Sequence, residues 1–97
     1  MPAYVIAETH IADPEQYARY MAASPAAIAE GGGRFVARGG DVTVLEGDWR
    51  PPRLVVLEFE DADAAQRWYD SEQYRAVRSL REGAGHVNMV LVAGYEA

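Results

Sequence analysis

From Ala3 to His10 the chain alternates, with Ala3, Val5, Ala7 and Thr9 on one side and Tyr4, Ile6, Glu8 and His10 on the other. A period of two predicts a strand, and because both sets are partly apolar, both faces of that strand are expected to be covered. Asp13-Pro14-Glu15-Gln16 then predicts a helix start, with Asp13 as N-cap, Pro14 at the first position and Gln16 in the capping-box place. Tyr17, Tyr20, Met21, Ser24 and Ile28 recur at three- and four-residue steps and define one buried stripe. Pro25 interrupts the stripe by removing a backbone donor, which predicts a kink or a restart capped by Ser24. Gly31 to Gly33 end the helix.

Alternation resumes at Arg34 to Arg38, with Phe35 and Ala37 opposite Arg34, Val36 and Arg38. Gly39-Gly40 breaks it, and Asp41 to Gly47 alternates again. The simplest expectation is one long strand bent by a glycine bulge. Trp49-Arg50-Pro51-Pro52 stops the pairing, and Arg53 to Glu60 returns with Val55, Leu57 and Phe59 opposite Leu54, Val56 and Glu58. Asp61 is expected to cap a helix carrying Ala64, Ala65, Trp68 and Tyr69. Ser71 caps a further turn with Tyr74, Val77 and Leu80, and Val87 to Tyr95 forms the last strand.

The order strand, helix, strand, strand, helix, strand predicts a single α+β domain over residues 1–97, a four-stranded antiparallel sheet with its helices on one face. Tyr4, Ile6, Leu54 and Val56 would then be bare on the other face. That is more apolar surface than a monomer usually exposes, so a second copy is expected to cover it.

Composition adjusts this picture in three ways. A formal charge of −6 argues against nucleic acid and anionic membrane as partners, which both need a basic face. The basic residues are nine arginines and no lysines, which favours flat, bidentate recognition of carboxylates, although codon usage in a GC-rich genome gives the same excess. The absence of cysteine removes disulfides, thiolate metal sites and a cysteine nucleophile. The opening MPAYVIAETH has no basic leader and no long apolar run, so the expected compartment is the cytoplasm.

Five motifs together carry a resemblance: Asp13-Pro14-x-x-Tyr17-x-x-Tyr20, Gly32-Gly33-Arg34-Phe35-x-x-Arg38-Gly39-Gly40, Leu45-Glu46-Gly47-Asp48-Trp49-x-Pro51-x-Arg53, Trp68-Tyr69-x-Ser71-x-x-Tyr74 and Arg78-x-x-Arg81-Glu82-Gly83. Over nearly the whole chain it resembles a family of small bacterial proteins catalogued as domain of unknown function 1330. The resemblance implies a ferredoxin-like βαββαβ protomer that pairs sheet to sheet as a dimeric α+β barrel. The wider group includes cofactor-independent monooxygenases, small lactone isomerases, haem-using enzymes and stress-responsive binding proteins, and none of their catalytic residues maps here by motif.

Three sets of residues are candidates for chemistry. Glu8, His10 and Glu58 fall on the strand faces that would line a barrel interior, where burial raises a carboxylate pKa and a paired Arg34 or Arg38 lowers it. They suit acid–base catalysis, or equally a structural ion-pair network across the dimer. Arg38, Glu46, Trp49 and Arg53 bracket the central glycine-rich motif and offer a guanidinium, a carboxylate and an indole to a small carboxylate or carbonyl compound. The alternative is an interface anchored by Trp49. Tyr69, Tyr74, Arg78 and Arg81 form a third candidate at a cleft mouth, or a stacked helical set, while Trp68 is expected in the core. His10 and His86 lack a ligand pattern, and no strand-to-helix turn follows the glycine clusters. No metal, cofactor or phosphate loop is therefore expected.

Overall fold

The computed structural model describes residues 1–96. Its elements are β1 (Ala3–Ile11), α1 (Pro14–Glu30), β2 (Arg34–Arg38), β3 (Leu54–Phe59), α2 (Ala62–Asp70), α3 (Glu72–Ser79) and β4 (Gly85–Ala93). The strands form one antiparallel sheet in the order β2-β3-β1-β4, so the first strand lies inside and the second and last lie at the edges. This is the ferredoxin-like arrangement, with the second helical region divided into α2 and α3.

Local chemistry sets most boundaries. The Asp13 carboxylate accepts from the Gln16 N–H at 3.1 Å, and the Asp61 carboxylate accepts from the Ala64 N–H at 2.8 Å. Ser71 ends α2 and starts α3, donating its hydroxyl to the Trp68 carbonyl and accepting from the Tyr74 N–H. At the end of α1, Gly33 N–H bonds Ile28 C=O and Gly32 N–H bonds Ala29 C=O, with Gly32 at φ 84°. That is a Schellman motif, and its left-handed position suits glycine because no Cβ meets the next carbonyl.

Three expectations change. Helix α1 runs unbroken through Pro25, with no new start at Ser24, which is buried. Proline there leaves the Met21 carbonyl without its helical donor, and Arg38 Nη2 supplies one at 2.7 Å. Second, residues 41–47 form no ladder, so β2 ends at Arg38 and residues 39–53 are a connection, not a bent continuation of the strand. Val42 and Val44 alternate, but no neighbouring strand takes their hydrogen bonds.

Third, the irregularity in β2 is at Val36, not at Gly39-Gly40. Phe35 pairs with Leu57, then Ala37 with Val56 and Arg38 with Val55. The extra residue reverses the strand's parity, so Arg38 leaves Arg34's side of the sheet and joins Phe35 on the helix side.

The core lies between helices and sheet. Trp68 is 2% exposed, with ring centroids 4.1 Å from Tyr74 and 5.1 Å from Phe59, and Val5, Ile28, Leu57 and Ala65 pack around them. The opposite face carries Tyr4, Ile6, Leu54 and Val56 with Val90 and Val92 from β4, and the last two are 60% and 46% exposed. No helix among the described residues is long and apolar enough to cross a membrane.

Candidate functional site

Two polar clusters stand on the open face. Glu8 Oε2 accepts from the Trp49 indole N–H at 2.8 Å and Oε1 from the Asn88 amide at 2.9 Å, with His10 Nε2 3.5 Å away. The Asn88 and Trp49 hydrogen bonds, and then the His10 interaction, hold the Glu8 carboxyl below the usual range against a smaller opposing effect of desolvation. Glu8 is thus an ionised acceptor with both oxygens engaged. Glu58 sits elsewhere on the face, opposite Tyr4, where it accepts from the Tyr4 hydroxyl at 3.2 Å and pairs with Arg34. The structure brings Glu8 and His10 together with Trp49 and sets Glu58 apart from them.

Arg38, Glu46, Trp49 and Arg53 are likewise divided. Trp49 reaches the open face through Glu8, and Glu46 is exposed on the connection. Arg38 and Arg53 turn to the helix side, where they line a cleft between α1, α3 and the sheet. Gly39 permits the Arg53 placement: its φ is +70°, and a Cβ there would lie 2.1 Å from Arg53 Nη1.

The third set splits in another way. Arg78 lies over the Tyr69 ring at 4.1 Å and donates to the Tyr69 carbonyl at 3.3 Å, a clamp between α2 and α3. Tyr74 is fully buried, but its hydroxyl meets the Tyr20 hydroxyl at 2.6 Å in the wall of the cleft.

The cleft contains about 30 Å³ of free space, room for a water or two. Its floor and sides are apolar, including Val55, Leu57, Ile28 and Met89. Its polar groups are Thr9, Ser24, Tyr17, the Tyr20–Tyr74 pair and three arginines, Arg38, Arg53 and Arg81. Burial, then the neighbouring Tyr74 hydroxyl, push the Tyr20 phenol far above its ordinary range. It therefore stays protonated, and either hydroxyl of the pair can be the donor. Arg81 lies over the Tyr20 ring at 5.0 Å. Sequence reasoning placed Tyr17, Tyr20 and Ser24 on one buried stripe and grouped Arg81 with Tyr69, Tyr74 and Arg78, but did not join the two sets across one cleft. The three-residue series Arg75, Arg78, Arg81 does not by itself show which side Arg81 faces. Among the described residues no group of three or more His, Asp or Glu is placed to hold a metal ion.

The architecture makes this a ferredoxin-like α+β protein. The chain belongs to the family described as Domain of unknown function (DUF1330), whose model matches residues 2–95. No match was found among the curated proteins. Solved structures with the same fold include a protein of unknown function from Rhodopseudomonas palustris, 17% identical, with a TM-score of 0.75 over 99% of this chain and 84% of that one. A dimeric ferredoxin-like protein of unknown function from Thermobifida fusca is 20% identical, with a TM-score of 0.65 over 97% and 92% of the two chains. SnoaB, a cofactor-independent oxygenase from Streptomyces nogalater, is 16% identical, with a TM-score of 0.57 over 99% and 93%. At these identities the likeness is one of fold.

Proposed function

We propose that this protein is a homodimeric α+β barrel that binds a small organic molecule in the cleft between its helices and sheet, which opens from its present space of about 30 Å³ to admit it. The observation that carries the reading is the cleft itself: an apolar chamber with a few convergent polar groups, among them the paired hydroxyls of Tyr20 and Tyr74. The dimer rests on the bare sheet face. Val90 and Val92 there remain exposed, and the apolar row from Tyr4 to Val56 continues beside them. A dimeric protein of the same fold supports that pairing.

A second reading, a cofactor-independent enzyme of the monooxygenase or isomerase kind, draws on the fold shared with SnoaB and on the Tyr20–Tyr74 pair. Two aligned phenols suit an oxyanion that develops on a bound carbonyl compound. Glu8, His10 and Glu58, the acid–base candidates of the sequence, would serve that reading only from the opposite face. The engagement of Glu8 with Trp49 and Asn88 favours binding over proton transfer there.

Native mass spectrometry of the purified protein with a metabolite extract tests the proposal. The expected result is a dimer carrying a small-molecule adduct, and the adduct is lost when Met21→Trp fills the cleft wall. A monomer at micromolar concentration would end the dimer claim, and an adduct unaffected by Met21→Trp would end the cleft claim.

A further inference from the structure

We infer that the cleft, widening beyond the space for a water or two that it holds when empty, takes a small organic carboxylate, its charged end on Arg53 and Arg81 and its apolar body against the sheet. This rests on the cleft being the ligand site proposed above and names the class of ligand.

The charge distribution is the first argument. The chain has fifteen acidic residues against nine arginines, yet three of those arginines line one cleft that no Asp or Glu lines. Among the described residues none of the three is in an ion pair, whereas Arg34 on the other side of the sheet has Glu58. An excess of acidic residues makes such a gathering hard to attribute to a solvated surface.

Unmet hydrogen bonding is the second argument. The Nε atoms of Arg53 and Arg81, like the Nε1 of Trp68, which lines the same cleft, are buried and have no partner among the described residues. Buried donors are nearly always satisfied, so these orphans call for an acceptor within the cleft that the described residues do not supply. Nε together with one Nη forms the edge of the guanidinium that takes both oxygens of a carboxylate.

Both side chains are also held in place. Arg53 rests against Gly39, where any Cβ would collide with it, and Arg81 stacks over Tyr20. Burial acts against the Arg81 charge, but the Tyr74 hydroxyl, with Tyr20 and Tyr17, outweighs it, so the guanidinium pKa is held above its ordinary value. Arg38 is occupied by the Met21 carbonyl and the Phe35 ring, which leaves it at the mouth and not at the anchoring end. Beyond the charged groups the cleft presents Val55, Leu57, Ile28 and Met89, a surface for hydrocarbon and not for a second anion.

Thermal unfolding at constant ionic strength tests the inference, with butyrate and benzoate set against butyramide and benzamide, and with inorganic phosphate as a further probe. The acids at 10 mM are expected to raise the melting temperature by about 4 °C or more, while the amides and phosphate have little effect. Arg53→Met and Arg81→Met should each abolish the response to the acids, and Arg53→Lys should weaken it about tenfold by keeping the charge without the fork. Arg50→Met, on the exposed connection, should leave it intact. Amides that stabilise as well as the acids would overturn the carboxylate while leaving the cleft as a ligand site. A response to phosphate alone would overturn the organic class. If none of the probes binds, the cleft reading falls and this inference with it.

Discussion

Arg38 Nη2 donates at 2.7 Å to the Met21 carbonyl, the acceptor that Pro25 leaves without a helical N–H. An edge strand therefore completes a helix in which proline would otherwise leave a gap. Arg38→Ala is expected to cost about 1 kcal/mol in the native background and much less in Pro25→Ala, where a backbone donor returns. A double-mutant cycle by urea denaturation measures the coupling, and strict additivity would show that the two sites are independent.

The Trp49–Glu8 contact makes a pH prediction. Folded Glu8 titrates below its ordinary value of 4.5, so its ionised form stabilises the fold above the unfolded pKa, and that contribution is lost as pH falls through the folded pKa. Trp49 is the exposed one of the two indoles, at 61% against 2% for Trp68. Its fluorescence should change in an acid titration with a midpoint under 4.5 while the far-UV spectrum stays native. Glu8→Gln should remove that transition.

Some of the glycines face core aromatics and others face open space. A Cβ on Gly33 would stand 2.5 Å from Phe59 Cζ, whereas one on Gly40 would meet nothing within 4 Å. Gly33→Ala is expected to destabilise by about 1–3 kcal/mol through overpacking against a ring that has nowhere to go. Gly40→Ala should lie within about 0.5 kcal/mol of the native protein. Chemical denaturation of both variants, read as midpoint at constant slope, checks the contrast.

The Tyr20 and Tyr74 hydroxyls, 2.6 Å apart, satisfy one another in a part-buried setting. Removing either one strands its partner, so Tyr20→Phe and Tyr74→Phe should each cost about 1–3 kcal/mol, and the double variant should cost less than their sum. Equal and additive losses in the three denaturation curves would mean that the hydroxyls have other partners.

Much of this fold can be read from the chain, for reasons tied to particular residues. Asp13, Asp61 and Ser71 cap the three helices because their side chains meet N–H groups a fixed three residues on, a relation local to the sequence. Period-two spacing in β1 and β3 placed Val5, Leu57 and Phe59 in the core correctly. The errors lie where the outcome depends on distant partners. Val42 and Val44 have strand-like spacing but no strand beside them. Pro25 fits inside α1 because Arg38, far along the chain, supplies a donor to the freed carbonyl. The bulge falls at Val36, a residue with nothing unusual about it, because the register with β3 is set by both strands together. Missing the bulge put Arg38 on the wrong face and obscured the cleft, since its arginines come from β2, the residue before β3 and the turn after α3.

The added residue at Val36 also sharpens the electrical difference between the two sides of the sheet. With unbroken alternation, Arg38 would stand on Arg34's side. As built, Arg34 is offset by Glu58 on the open side, while Arg38 joins Arg53 and Arg81 beneath the helices, where no Asp or Glu lines the cleft. An arrangement of this kind gives the helix side an attraction for anions, and a single residue in a five-residue strand contributes one of its three positive charges.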